Sequence, residues 1–194
     1  MENANIGSSQ ERYALAGPQS VFIVLIPAIA LVTAILSRNM LFLGYIHVLF
    51  GALWAGIDIF MGLVIGRILP KMSIPSRVEM IKRMIPYMLF LMPTLATVAI
   101  TAGMFLAIGE GIFNLHYPVF IAAGIIVVML TVQGFGIFLP NELRIYLEVR
   151  KSQPDGQKIT RLGMINFRLS GVQAAFQVAL IFVMANIAAG SYFF

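Results

Sequence analysis

The chain contains no cysteine, and only 11% of its 194 residues are charged. The first absence excludes disulfides, iron–sulfur clusters, thiolate zinc sites and covalently attached c-type haem, which needs a C-x-x-C-H sequence. The second excludes an ordinary soluble domain, in which about a quarter of the residues are charged. Histidine is scarce, with two, and tryptophan scarcer, with one. No nucleophile–base pair, phosphate loop or cluster of metal ligands is visible. Gly134-Phe135-Gly136 lacks the strand–turn–helix setting of a dinucleotide motif. There is no internal repeat and no low-complexity tract. What remains is 60% hydrophobic, with a mean hydropathy of +0.92. A nucleic-acid-binding domain and a water-soluble enzyme are both excluded.

Five apolar stretches, 20–37, 41–69, 84–108, 117–139 and 163–188, approach or exceed the roughly 20 residues that cross a bilayer. The fold expected is all-α: a polytopic membrane bundle of about five transmembrane helices, forming one domain over 20–194. A polar N-terminal segment, 1–19, precedes it. The first stretch is not read as a cleaved signal peptide, because no basic run leads directly into it and residues 38–40 are its whole link to the second. Twelve of the 13 basic residues fall on one face: Arg12, those from Arg67 to Arg83, and those from Arg144 to Arg168. Arg38 alone falls on the other. By the positive-inside rule the N-terminus is cytoplasmic and the C-terminus outside, as in a multi-pass protein of the plasma membrane.

Pro86 and Pro93 are expected to bend the third span. Pro118 suits the first turn of the fourth. The fourth continues as helix past Pro140 to Lys151, Gln153-Pro154-Asp155-Gly156 forms a turn, and the fifth begins near Lys158. These two spans therefore form a hairpin projecting from the membrane. Its charges, Glu142, Arg144, Glu148, Arg150 and Lys151, read as a solvated face, or as a docking surface for a partner or anionic lipid.

The second span is the informative one. At about 100° per residue, Trp54 and Asp58 lie roughly 20° to either side of His47, with Gly44, Gly51 and Gly62 within about 60°. Asp58 is the one acid well inside a span. Such a residue costs about 2.5–3.5 kcal/mol on insertion scales and is a functional candidate by default: a proton relay, a cation site, or a partner for a haem propionate. Its structural alternative is a hydrogen bond to Thr97, Gln133 or Gln177. His47 lies about 9 Å below the outer end of its span, on the same side as His116. Two imidazoles from different helices are what bis-axial haem b requires, with Gly51 and Trp54 beside the macrocycle. A histidine bonded across helices and an ordinary loop histidine are the plain alternatives. Gly62-x-x-x-Gly66 is a packing motif. Met80, Met84, Met88 and Met92 are soft, copper-compatible ligands or flexible core filler. Thr94, Thr97 and Thr101 are expected to face the bundle, and Gln133, Gln173 and Gln177 to line or tie its interior.

His47-Val-Leu-Phe-Gly-Ala-Leu-Trp54-Ala-Gly56 resembles the H-x6-W-x-G helix of copper-resistance-D-like membrane proteins. It is also similar to the histidine helix of HemJ-type protoporphyrinogen oxidases. The resemblance implies a helical bundle with a haem-b or copper-related role carried by His47. HemJ-type enzymes use an intramembrane lysine that no span here has at depth, which argues against porphyrinogen oxidation. Three functions follow. One is a redox protein holding haem b, or copper, through His47 and His116 and exchanging electrons with quinol, Asp58 taking the coupled proton. Another is a proton, ion or copper permeation protein centred on Asp58. The last is a non-catalytic subunit of a larger membrane complex. Partners are then the lipid bilayer and a second copy or other subunits, with no nucleic acid. The haem expectation predicts a Soret band and sharp reduced α and β bands in detergent-purified protein, both lost in His47→Ala; a colourless protein expressed with haem supplied overturns it.

Overall fold

The computed structural model describes residues 18–191. The polar segment 1–19, but for its last two residues, lies outside the described residues, as does Arg12. The chain runs through α1 (Pro18–Ser37), α2 (Met40–Ile59), a π turn (Phe60–Ile65), α3 (Gly66–Ile68) and a 3-10 turn (Leu69–Lys71). Then come α4 (Ile74–Gly109), α5 (Pro118–Gln133), a second π turn (Gly134–Phe138), α6 (Leu139–Val149) and α7 (Gly156–Ala188). Among the described residues there is no strand. Consecutive pieces join end to end, leaving five rods long and apolar enough to cross a bilayer. The expected all-α bundle is the fold found. Only 22–33% of the most apolar window of each rod is buried inside the bundle. Side chains such as Leu41, Val48 and Phe182 point outward instead. Lipid tails solvate such a surface, while backbone polar groups are satisfied within the helices.

The rods are longer than the apolar stretches that announce them. α4 starts at Ile74 rather than near 84: Ser73 caps it, its hydroxyl accepting from the Ser76 amide at 3.4 Å, and Pro75 fits its first turn. At 1.5 Å per residue its 36 residues span about 54 Å, well beyond a roughly 30 Å hydrocarbon core. The basic ends of α4, α6 and α7 share a packed centre of their own, where Ile81, Ile145 and Ile159 are fully buried. The expected helical hairpin is present, formed by α6 and α7. Asp155 starts α7, its Oδ1 accepting from the amides of Gln157 at 2.9 Å and Lys158 at 3.0 Å. At the opposite end Arg38, at φ 52°, and Asn39 make the whole α1–α2 turn.

One expectation about the hairpin is corrected. Arg144, Arg150 and Lys151 are exposed, but Glu142 and Glu148 are only 8% and 3% exposed. Leu143 and Leu147 face outward in their place. A helix lying partly against lipid turns its leucines to the tails and its acids to the protein. Glu148 is held there by Lys158 Nζ at 2.7 Å and Lys151 Nζ at 2.9 Å. Glu142 has no such partner. A second correction concerns the threonine line: Thr97 is exposed, and the Thr94 hydroxyl donates to the Phe90 carbonyl of its own helix at 2.7 Å.

Gly62, in the first π turn, sets the closest helix crossing. A Cβ built on it would fall into the backbone of Gly171 on α7. Gly66, one turn on, faces the Phe167 carbonyl. The Gly62-x-x-x-Gly66 pair is thus a packing face. The crossing is asymmetric, because a Cβ on Gly171 would sit 3.8 Å from the Gly62 Cα, an ordinary contact. Gly62→Ala should therefore cost about 2–3 kcal/mol, as overpacking against backbone does, whereas Gly171→Ala should be tolerated. Thermal unfolding in detergent distinguishes the two; equal effects would contradict the geometry.

Candidate functional site

Asp58 is completely buried, in the last turn of α2 before the first π turn. Its Oδ2 accepts from Gln173 Nε2 at 2.8 Å and Gln177 Nε2 at 2.9 Å, one turn apart on α7. Of the partners expected for Asp58, Gln177 is one. Thr97 faces outward, and Gln133 instead donates to the Leu169 carbonyl at 2.9 Å, tying α5 to α7.

Three buried oxygens around this junction have no donor: Asp58 Oδ1, Gln173 Oε1 and Gln177 Oε1. The glutamines spend their amide N–H groups on one carboxylate oxygen, which leaves their carbonyls and the other carboxylate oxygen unmatched. Unpaired acceptors are costly in an apolar interior, so water or a cation belongs beside them.

The space is there. A cavity of about 70 Å³ is lined by Asp58, Ser170 and Gln173 on one side and by Trp54, Met92 and Phe135 on others. A single water needs roughly 10–15 Å³ by the same measure, so a few waters or a small hydrated ion fit. Glu142 also lines the cavity, from α6. Among the described residues, Asp58 and Glu142 are the only ionisable side chains on its wall, and no basic residue faces it. The chain is bent to make this possible. The Leu139 amide reaches back five residues to the Gly134 carbonyl, and Pro140, which has no N–H to give, follows at once. Asn166, held by Asn141 Nδ2 at 3.0 Å, donates to the Phe138 carbonyl at 3.4 Å. Such π turns often mark functional sites, and here each adjoins one of the two acids.

The other expected site residues lie elsewhere. His47 is half-buried between α2 and α4; its Nδ1–H donates to the Ala99 carbonyl at 2.8 Å, and its ring lies against Gly103. His116 is exposed on the α4–α5 loop, with its Nδ1–H on Asn114 Oδ1 at 2.9 Å. Neither lines the cavity, and the structure gives them no shared partner. Gly51 has open space where a Cβ would stand. Trp54 and Asp58 are the two expected residues that the structure brings together. Among the described residues no group of three His, Asp or Glu side chains could hold a metal ion. The arrangement lends haem no support.

Glu142 is the residue that sequence reasoning missed. Its signal was the stripe Asn141, Glu142, Ile145 and Tyr146, at helical spacing and all buried. No family model, curated protein or solved structure matches the chain. The likeness to copper-resistance-D-like and HemJ-type proteins thus rests on the α2 motif alone.

Asp58→Asn keeps an acceptor for both glutamine amides, and Asp58→Leu removes it. The leucine variant should lose about 2–4 kcal/mol, the cost of two buried amides left unpaired, while the asparagine variant unfolds close to wild type. Detergent unfolding curves measure both; equal stability would mean that the two hydrogen bonds do not hold α2 to α7.

Proposed function

We propose that this is an integral membrane protein that binds a small hard cation, a proton or an alkali ion, at Asp58 and lets it permeate through the bundle. The observation that carries this reading is the set of three donor-less oxygens around a buried carboxylate. Oxygen atoms of carboxylate, amide and hydroxyl groups are the ligands that hard cations select. The second acid on the same wall adds negative charge, and no side chain among the described residues there offsets it. Two buried carboxylates without a counter-charge are expensive; a cation or a proton restores the balance.

Cu(I) is a second reading, favoured by the thioethers of Met61, Met88 and Met92 on the same cavity wall. The unmatched atoms are oxygens rather than sulfurs, so the hard cation leads.

The test is flux in proteoliposomes carrying an internal pH dye or an internal Na+ dye. Protein-dependent flux of one ion is expected, falling at least about tenfold in Asp58→Asn, because an ion held in a low-dielectric site loses most of its stabilisation with the charge. Flux of neither ion, or flux indifferent to Asp58→Asn, overturns the reading. Cu(I) flux that survives Asp58→Asn but is lost when the three methionines are replaced by leucine would install the alternative.

A further inference from the structure

A second, smaller cavity of about 30 Å³ lies nearer the basic end, between α4 and α7. Ile81 and Met84 line it from α4, and Gly163 from α7. It shares Glu142, Asn166, Phe167 and Met88 with the cavity at Asp58. Glu142 therefore stands at the junction of the two. Its side chain is more than nine-tenths buried, and no side chain among the described residues donates to it. From Ile81 in the smaller cavity to Ile100 in the larger, the lined wall of α4 runs about 28 Å at 1.5 Å per residue.

The helices pack closely beyond both cavities: Leu69, Ile145 and Ile159 are fully buried at the basic end. Just past Ile100, Ala102 of α4 is fully buried and Ile46 of α2 is 3% exposed. The His47–Ala99 hydrogen bond clamps α2 to α4, with the imidazole filling the space over Gly103.

We infer that Asp58 exchanges its cation with the smaller cavity through Glu142, the residue that hands the cation on between the two. This rests on the proposed role of Asp58 and adds the route. In the proton case, Glu142 takes a proton from water in the smaller cavity and releases it, through water in the larger one, to Asp58. Among the described residues, Asp58 and Glu142 are the only ionisable side chains lining either cavity. The faces that α4 and α7 turn to Glu142 carry only neutral side chains, including Met84, Met88 and Asn166.

The route has a natural plug. A Cβ on Gly163 would sit 2.7 Å from Ile81 Cδ1. Gly163→Ala must push that methyl into the smaller cavity without touching either acid. The single tryptophan, Trp54, lines the cavity at Asp58 and reports its occupancy.

The experiment is stopped-flow Trp54 fluorescence of the full-length protein in detergent, after a pH jump and separately after a NaCl jump at fixed pH. Wild type should respond to one of the jumps, and Asp58→Asn should lose the amplitude. Glu142→Gln should keep the amplitude but slow the response roughly a hundredfold, the low end of what a positioned proton-transfer group contributes. Gly163→Ala should also keep the amplitude and slow the response by a smaller factor. Wild-type rates in both variants overturn the route and leave the Asp58 reading standing. No Trp54 response to either jump overturns both. A variant that misfolds is recognised by its unfolding curve, and the other then decides.

Discussion

The contact between α2 and α7 is the constraint on which the rest of the bundle depends. Gly62 lets the two backbones meet at Gly171, closer than any side chain would allow. That approach puts Asp58, four residues before Gly62, within hydrogen-bonding reach of Gln173 and Gln177, on the next turns of α7 beyond Gly171. In lipid there is no hydrophobic force to hold helices together, so close packing and interhelical hydrogen bonds do the work. Here the two reinforce each other at adjacent turns. The same junction creates the mismatch that makes it interesting. Two glutamines converging on one carboxylate oxygen satisfy that oxygen twice and leave three acceptors unsatisfied. A purely structural latch would be complete with fewer polar atoms than are present.

The π turns follow from the same geometry. α5 and α6 are one continuous rod that must pass the cavity and then turn inward the face bearing Glu142. Pro140 removes a rung of the helical ladder there, and the Gly134 carbonyl is taken by an amide five residues on. The extra residue rotates everything beyond it. Asn166 takes up the Phe138 carbonyl, and Gln133 fixes the rod to α7 one turn earlier. The distortion is therefore supported from α7 on both sides, which is how an irregular segment persists at membrane depth.

What was legible in the sequence was whatever depends on composition and on charges within long apolar runs. The five rods, the tight turn at Arg38 and the continuation past Pro140 all follow from such signals. The start of α4 was less legible, because it runs past its apolar stretch into charged residues, whereas the early start of α7 near Lys158 was read from the turn before it. Glu142 was illegible for a specific reason. The rule that charges face outward holds in water and inverts beside lipid, where Leu143 and Leu147 take the outside. The pairing of Asp58 with Gln173 and Gln177 required the angle between α2 and α7, which no spacing within one helix contains. The histidine stripe was located correctly on the inner face of α2. What it meets, the Ala99 carbonyl and Gly103, belongs to another helix and was out of sight.

Glu142 and Glu148, on one short helix, show what is unusual about the site. The chain has more basic residues than acidic ones, 13 against 8, so cations are not in short supply. Glu148 attracts two of them, from both sides of the turn before α7. Glu142, six residues earlier and nearly as buried, has none. Arg144 is two residues along, on the opposite side of the helix, and points outward. Arg161 and Arg168 of α7 are likewise exposed, while the neighbouring inward positions carry Asn166 and Ser170. The lack of a counter-charge around Asp58 and Glu142 is thus a matter of placement, repeated on α6 and α7. A pair of acids whose only function was to join helices would gain from one inward arginine. A pair that must take up and release a mobile cation would be blocked by it.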